Sequence, residues 1–353
     1  MKPCVFLAFS ISKSSVSDYF TTLAIEMSEK YNVVIFTDTQ ERIERKNIST
    51  YIWPSLRPTG IKDFLFLRSK IKAHHPTLMI SVFGAVNMFL IGGYVYRVPK
   101  RIAWRRTLTG QLNPSKKSIR RKGLIYKLAT TIFVNSNATK EDTITYFKVP
   151  EDKITVIYNA VKDHKIAARK REPYRLVYAG RLHPSKGIDT LLEAIQILKT
   201  DIEEIELLVL GGSLQGNVIK KYQKQTEDLQ IEKQVRFLGN QSKEKLLELF
   251  ASTQFVVVPS VLEAFGFVVI ESFSVKTPVI GSNTSGIAEI IRDGKDGLLF
   301  EPSNADDLAK KIKYLFEHPD KVTVFSQNCY QRFLDTFEVN TSVKEALIIV
   351  ERL

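Results

Sequence analysis

Four side chains in the second half of the chain have types and spacing suited to a phosphorylated sugar. Glu263 and Glu271 flank "AFGFVVI", seven residues without a charge or a hydroxyl. A carboxylate only accepts hydrogen bonds, so it matches the hydroxyls of a sugar or ribose. Arg181 and Lys186 lie in "GRLHPSKG". A guanidinium fork and an ammonium point charge together suit a diphosphate. Gly180, just before them, allows close backbone approach. Spacing alone leaves a plainer reading open: a solvated basic loop, a loop glutamate and a helix-surface glutamate.

These residues matter only if strands and helices bring them together. "YRLVYAG" (174–180) reads as a strand and "GIDTLLEAIQILKT" (187–200) as the helix after it. "QFVVVPS" (254–260) reads as another strand, ending before Glu263. From Gly266 onward the apolar spacing turns helical, which places Glu271 about a turn into a helix. The amides of Phe265, Gly266 and Phe267 then sit at that helix's N-terminus, a position suited to anions. "PVIGSN" (278–283) is a further strand, followed by the small residues Ser282–Gly286 and by Glu289.

The same alternation runs through the rest of the chain. "PCVFLAFS", "NVVIFTD", "TLMISVF", "KRIAW", "TIFVNS" and "ITVIYN" read as strands before residue 160, with helical stretches between them. "IELLVLGG", "VRFLG" and "DGLLFEP" are strands of the second series. Strands alternating with helices imply parallel sheets, and 353 residues exceed one ordinary core. The charged segment Val161–Pro173 reads as the linker between two domains. Thr77–Val98 carries a single charge, Arg97, after 20 uncharged residues. Its strand-like start and Gly84 favour a buried strand and then a buried helix over a membrane span.

Charge divides unevenly. Residues 1–170 hold 29 Lys and Arg against 12 Asp and Glu, a net +17, and the remainder is −4. An anionic partner for the first half follows. The stretch 113–128, "NPSKKSIRRKGLIYKL", interleaves six cations with apolar residues, a pattern that fits an anionic membrane surface. The alternative is a solvated helix whose apolar side is core, and Gly123 weakens a continuous helix there. No helix-turn-helix, zinc or aromatic stacking pattern supports nucleic acid. Cys4 and Cys329 have no metal-ligand spacing and read as free thiols of a reducing compartment. His74 and His75 read as surface residues. The opening "KPCVFLAFSIS" reads as a first strand rather than a leader.

Taken together, "GRLHPSKG", "EAFGFVVIE" and "TPVIGSNTSGIAEII" resemble glycosyltransferase family 4, retaining enzymes of the GT-B fold. The resemblance runs closely from Leu176 to Pro302 and extends to "IFVNSNATKEDTITYFKVPEDKITVIYNAVK". There Asn159-Ala160 replaces the more usual Asn-Gly. It implies an α/β architecture of two Rossmann-like doubly wound domains facing across a cleft. Residues 1–165 would bind acceptor, 171–335 a nucleotide sugar, and 336–353 would return as a helix towards the first domain. Arg181 and Lys186 would hold the diphosphate and Glu263 the donor sugar, these three forming the catalytic set. Glu271 would bind ribose. Gly180 and the backbone from Ala264 through Phe267 would line the donor pocket, and Phe237, Leu238 and Asn240 would meet the base. The co-substrate would be a UDP-sugar, with no bound metal.

The departures lie in the first half. The loop after the first strand, "FSISKSSVSD", lacks the family's glycines and presents Ser12 and Lys13. Where many members carry a histidine, this chain has Arg105 and Arg106, either contacts for phosphate or an anionic acceptor, or a plain surface pair. Gly84 and Asn87 would line the acceptor side. The implied reaction moves sugar to a saccharide or lipid-linked acceptor in cell-surface polysaccharide or lipopolysaccharide synthesis. The expected setting is cytoplasmic, on the inner membrane face. An epimerase or phosphorylase of the same fold is the competing reading.

Overall fold

The computed structural model describes residues 2–167, 169–212 and 218–353. It divides into two compact units, Met1–Lys162 with Val339–Leu353, and Asp163–Glu338. Ala168, within the expected linker, lies outside the described residues.

The first unit holds a seven-stranded parallel sheet. Its strands are β1 (Cys4–Ala8), β2 (Asn32–Thr37), β3 (Ile48–Ile52), β4 (Leu78–Val82), β5 (Lys100–Arg105), β6 (Thr131–Val134) and β7 (Ile154–Val156), in the order 3-2-1-4-5-6-7. Its helices are α1 (Ser15–Met27), α2 (Ile61–His74), α3 (Val86–Val95), α4 (Thr109–Leu112), α5 (Lys116–Tyr126) and α6 (Asn137–Phe147). The second unit holds a six-stranded parallel sheet. Its strands are β8 (Arg175–Ala179), β9 (Glu206–Leu210), β10 (Val235–Gly239), β11 (Phe255–Val258), β12 (Val279–Ser282) and β13 (Gly297–Phe300), in the order 10-9-8-11-12-13. Its helices are α7 (Ile188–Leu198), α8 (Val218–Asp228), α9 (Lys243–Ala251), α10 (Phe267–Ser274), α11 (Ser285–Ile290), α12 (Ala305–Glu317) and α13 (Pro319–Arg332). A final helix, α14 (Val339–Arg352), packs on α1, with Val343, Ala346 and Val350 in the core that holds Tyr19 and Leu23.

Central strands covered on both faces read as unbroken apolar runs. All five residues of β1 and of β4 are buried. Edge strand β3, "ISTYI", is only partly buried and escapes a sequence reading for that reason. Thr77–Val98 becomes β4, a 3-10 turn at Phe83–Ala85 and α3. Among the described residues no helix is long and apolar enough to cross a membrane. Cys4 and Cys329 are buried free thiols. His75 is exposed, but His74 is not a plain surface residue. It is half-buried, its Nε2 lies 3.2 Å from the Tyr51 hydroxyl, and burial lowers its pKa.

Strand order fixes where ligands can sit. Ligands of open α/β sheets bind beyond the carboxyl ends of strands where the order reverses. In the second sheet that point lies between β8 and β11, and in the first between β1 and β4. The loops carrying Arg181, Lys186 and Glu263 follow β8 and β11. Those carrying Ser12, Lys13 and Gly84 follow β1 and β4, and Asn87 lies in the first turn of α3.

Candidate active site

Beyond β8 the chain cannot enter α7 directly. The His183 ring Nδ1 accepts the Ser185 amide at 3.2 Å and caps a 3-10 turn, Pro184–Lys186. The Tyr178 hydroxyl donates to the Arg181 carbonyl at 3.0 Å and pins the loop's start. Burial pushes the Tyr178 phenol above its usual range, so it stays a donor. Gly187 then takes φ +65°, and its α-carbon lies hard against the Pro259 carbonyl.

That approach couples the β8 and β11 loops. The Val261 amide donates to Ser185 O at 2.9 Å. From β12, Ser282 Oγ donates to Ser260 O at 2.5 Å and Thr284 Oγ1 to Val261 O at 3.1 Å. The Gly286 amide donates to Glu263 O at 3.1 Å, and a β-carbon on Gly286 would stand 2.5 Å from Phe265 Cα. Three strand ends are thus stitched by bonds from backbone amides and side-chain hydroxyls, which locks the Glu263 backbone.

The result is a cavity of about 210 Å³ lined by Gly180, Arg181, Lys186, Glu263, Gly266 and Phe267, among others. Lys186 Nζ donates to Glu263 Oε2, in an ion pair whose side chains are 15% and 16% exposed. Arg181 is exposed on the same cavity. Gly266, at φ +111°, precedes α10. Ala264 and Phe265 are buried beneath the loop. The cavity therefore presents two cations, a carboxylate and the amino end of a helix. An anionic group with neighbouring hydroxyls meets complementary chemistry there.

Glu271 is buried in α10 and pairs with Lys243, the first residue of α9. Phe237 and Leu238 are half-buried at the end of β10, and Asn240 is exposed just beyond it. Leu238 O accepts Gln241 Nε2 at 2.6 Å, and Gly239 O accepts the Gly211 amide at 2.8 Å. Tyr178, His183 and Lys243 were not legible as site residues. Tyr178 reads as core within a strand, and Lys243 as an ordinary helix start.

In the first unit, hydroxyls replace the missing glycines. The Ser12 amide donates to Ser17 Oγ at 2.9 Å, and Ser14 Oγ accepts the Ser17 amide at 3.2 Å as the α1 cap. Lys13 and Gly84 are exposed, and Asn87 Oδ1 accepts Lys122 Nζ at 2.6 Å.

Arg105 and Arg106 are not a surface pair: each is 8% exposed. The Arg105 guanidinium donates to Asp142, to Thr109 Oγ1 at 3.0 Å, to Thr143 Oγ1 at 2.7 Å and to Thr139 O at 3.2 Å. It braces β5 against α4 and α6, leaving little of it for a ligand. Removing one partner of a buried ion pair leaves an uncompensated charge, so Asp142→Ala should cost about 3–5 kcal/mol. Both tryptophans, Trp53 and Trp104, belong to the first unit. Urea unfolding followed by their fluorescence reads this loss, and a change under 1 kcal/mol would contradict the brace. Arg106 stacks over Phe20 at 5.4 Å and Tyr19 at 5.8 Å, and burial lowers its pKa to about 10.

Comparison with known proteins bears on the family and the fold. Residues 160–332 match the family model "Glycosyl transferases group 1", and residues 16–165 match "Glycosyltransferase Family 4". The chain belongs to this glycosyltransferase family, and its α/β fold is that of GT-B enzymes. It is 32% identical over 190 residues to an uncharacterized glycosyltransferase of Methanocaldococcus jannaschii, covering 49% of this chain and 47% of that protein. It is 30% identical over 208 residues to the lipopolysaccharide 1,2-N-acetylglucosaminetransferase of Salmonella typhimurium, covering 55% and 52%. The chain thus spans about half the length of the curated relatives it matches. Anabaena Alr3699/HepE, solved in complex with UDP, superposes with a TM-score of 0.82 at 19% identity over the whole of both chains.

Proposed function

We propose that this chain is a retaining glycosyltransferase that takes its sugar from a UDP-sugar. The observation that carries the reading is the Lys186–Glu263 pair with Arg181, gathered at the switch point of the second sheet. The UDP bound to the Anabaena protein of like fold supports the choice of nucleotide. In the proposed step the acceptor hydroxyl attacks the anomeric carbon from the face the diphosphate leaves. The new carbon–oxygen bond forms as the bond to the β-phosphate breaks, and a phosphate oxygen takes the acceptor's proton. Arg181, Lys186 and the α10 amides hold the charge that develops on the leaving group. Glu263 orients the donor sugar, Glu271 meets ribose, and the β10 end meets uracil.

The acceptor is a saccharide or a lipid-linked saccharide of the cell surface, as the name of the Salmonella relative suggests. The outward face of α5, with Lys116, Lys117, Arg120 and Leu124 exposed, suits an anionic membrane surface.

A thermal-shift titration with UDP and UDP-sugars tests the donor assignment. Ligand that binds only the folded state raises the transition by mass action. UDP should stabilise the wild type, and Glu271→Ala should weaken its affinity about tenfold or more, the loss of a charged hydrogen bond. Full UDP affinity in Glu271→Ala would remove the ribose assignment. Epimerisation of a UDP-sugar incubated with the protein alone would replace the transferase reading.

A further inference from the structure

The first unit contains a second cavity that the donor chemistry does not use. It has a volume of about 300 Å³ and lies between the end of β5, α3, α5 and Phe147. Ligand pockets begin at about that size. One wall is apolar, formed by Val86, Leu112, Ile119, Ile125 and Phe147. The charged lining is of one sign: Arg105, Arg106, Arg121 and Lys122 contribute, and no Asp or Glu is among the described lining residues.

Two features make this more than a crevice. Lys122 Nζ donates to Asn87 Oδ1, a neutral amide, and burial followed by the nearby Arg105 lowers its pKa to about 8. A cation is thus held away from water without a carboxylate on that bond. Phe83, at the cavity lining, is 55% exposed and takes φ +54°. A bulky side chain in that backbone region is an outlier of the kind that marks functional positions. Leu112, also on the lining, is 69% exposed. An uncharged lipid would not need the cations, and a free anion would not need the apolar wall.

The geometry points to an anionic amphiphile as the occupant, with a phosphate against Arg106, Arg121 and Lys122 and a hydrocarbon chain on the apolar wall. Only the ligand's role, as the lipid end of the acceptor, rests on the transferase reading. The cavity lies one strand from the switch point of the first sheet, beside the loop that carries Phe83.

Isothermal titration of the full chain compares decyl phosphate, inorganic phosphate and decyl glucoside, each below its micelle concentration. Decyl phosphate is expected to bind at least about tenfold tighter than either control, as a cavity using both chain and charge requires. Lys122→Gln and Ile119→Asp should each weaken it about tenfold or more while UDP affinity stays unchanged. Leu112→Ser, at an exposed position, serves if Ile119→Asp fails to fold. Equal binding of decyl phosphate and inorganic phosphate would overturn the proposal, as would equal binding of decyl phosphate and decyl glucoside. So would tight decyl phosphate binding that the Lys122 and apolar-wall variants leave unchanged, since that is adsorption elsewhere. Failure of the transferase reading appears separately, as absence of UDP binding, and leaves the alkyl-phosphate comparison intact.

Discussion

Lys186→Ala should slow sugar transfer by about two to three orders of magnitude, and Arg181→Ala by a similar factor, the range for removing one preorganised stabiliser of developing charge. Both side chains face the cavity after β8 and β11. When the donor bond breaks, charge gathers on the diphosphate. A cation already in place there stabilises the transition state more than the ground state. The rate should therefore fall by more than the UDP affinity does. Lys186→Ala also deprives Glu263, which is only 16% exposed, of its partner. Some loss of donor-sugar orientation then adds to the lost cation. On the proposed reading both cations act on the one diphosphate, so the double variant should fall short of the product of the single effects. UDP release from the donor in the presence of acceptor, with UDP affinity measured by titration, separates the two contributions. A rate within threefold of wild type in both single variants would sink the leaving-group assignment.

Much of the candidate site was legible because its residues lie in short local runs. Arg181 and Lys186 are five positions apart on one loop, and Glu263 and Glu271 eight apart across a loop and a helix. Strands such as β1, β4 and β11 were legible because burial on both faces leaves no alternation to misread. What stayed hidden depends on distant partners. Lys186 meets Glu263 across 77 positions. Glu271 meets Lys243, and nothing near either residue in sequence announces that pair. Arg105 is buried because Asp142, 37 positions on, lies beside it. Gly123 looked like a weak point in a basic helix, yet α5 runs through it unbroken. A β-carbon there would stand 2.9 Å from Phe147 O, so the glycine serves the close packing of α5 on α6. Helix propensity gave way to a tertiary contact.

Gly187→Ala should abolish tight donor binding and destabilise the second unit by about 3 kcal/mol or more, combining the cost of a left-handed backbone with overpacking. The backbone cost alone is about 1–2 kcal/mol. The larger part comes from geometry: the new β-carbon would lie 1.9 Å from Pro259 O and 2.8 Å from Pro259 C. Both are backbone atoms, and neither can yield cheaply. Val261 N is bonded to Ser185 O on one side, and Ser260 O accepts Ser282 Oγ on the other. Relief requires the Lys186 loop to part from the Glu263 loop, which is the juxtaposition that makes the site. Asparagine separates the two causes, because it tolerates positive φ far better than alanine does. If backbone strain were the whole cost, Gly187→Asn would be nearly neutral. The contact with Pro259 predicts that it is as damaging as alanine. Gly60→Ala is the control, since its β-carbon would meet only Asp63 Oδ2, at 3.6 Å. A loss of about 1 kcal/mol or less is expected there, since alanine caps a helix less well than glycine. Because both tryptophans report on the first unit, the unfolding of the second is best followed by far-UV circular dichroism. A near-neutral Gly187→Asn would show that the two loops are free to separate, and that the site is not held by this contact.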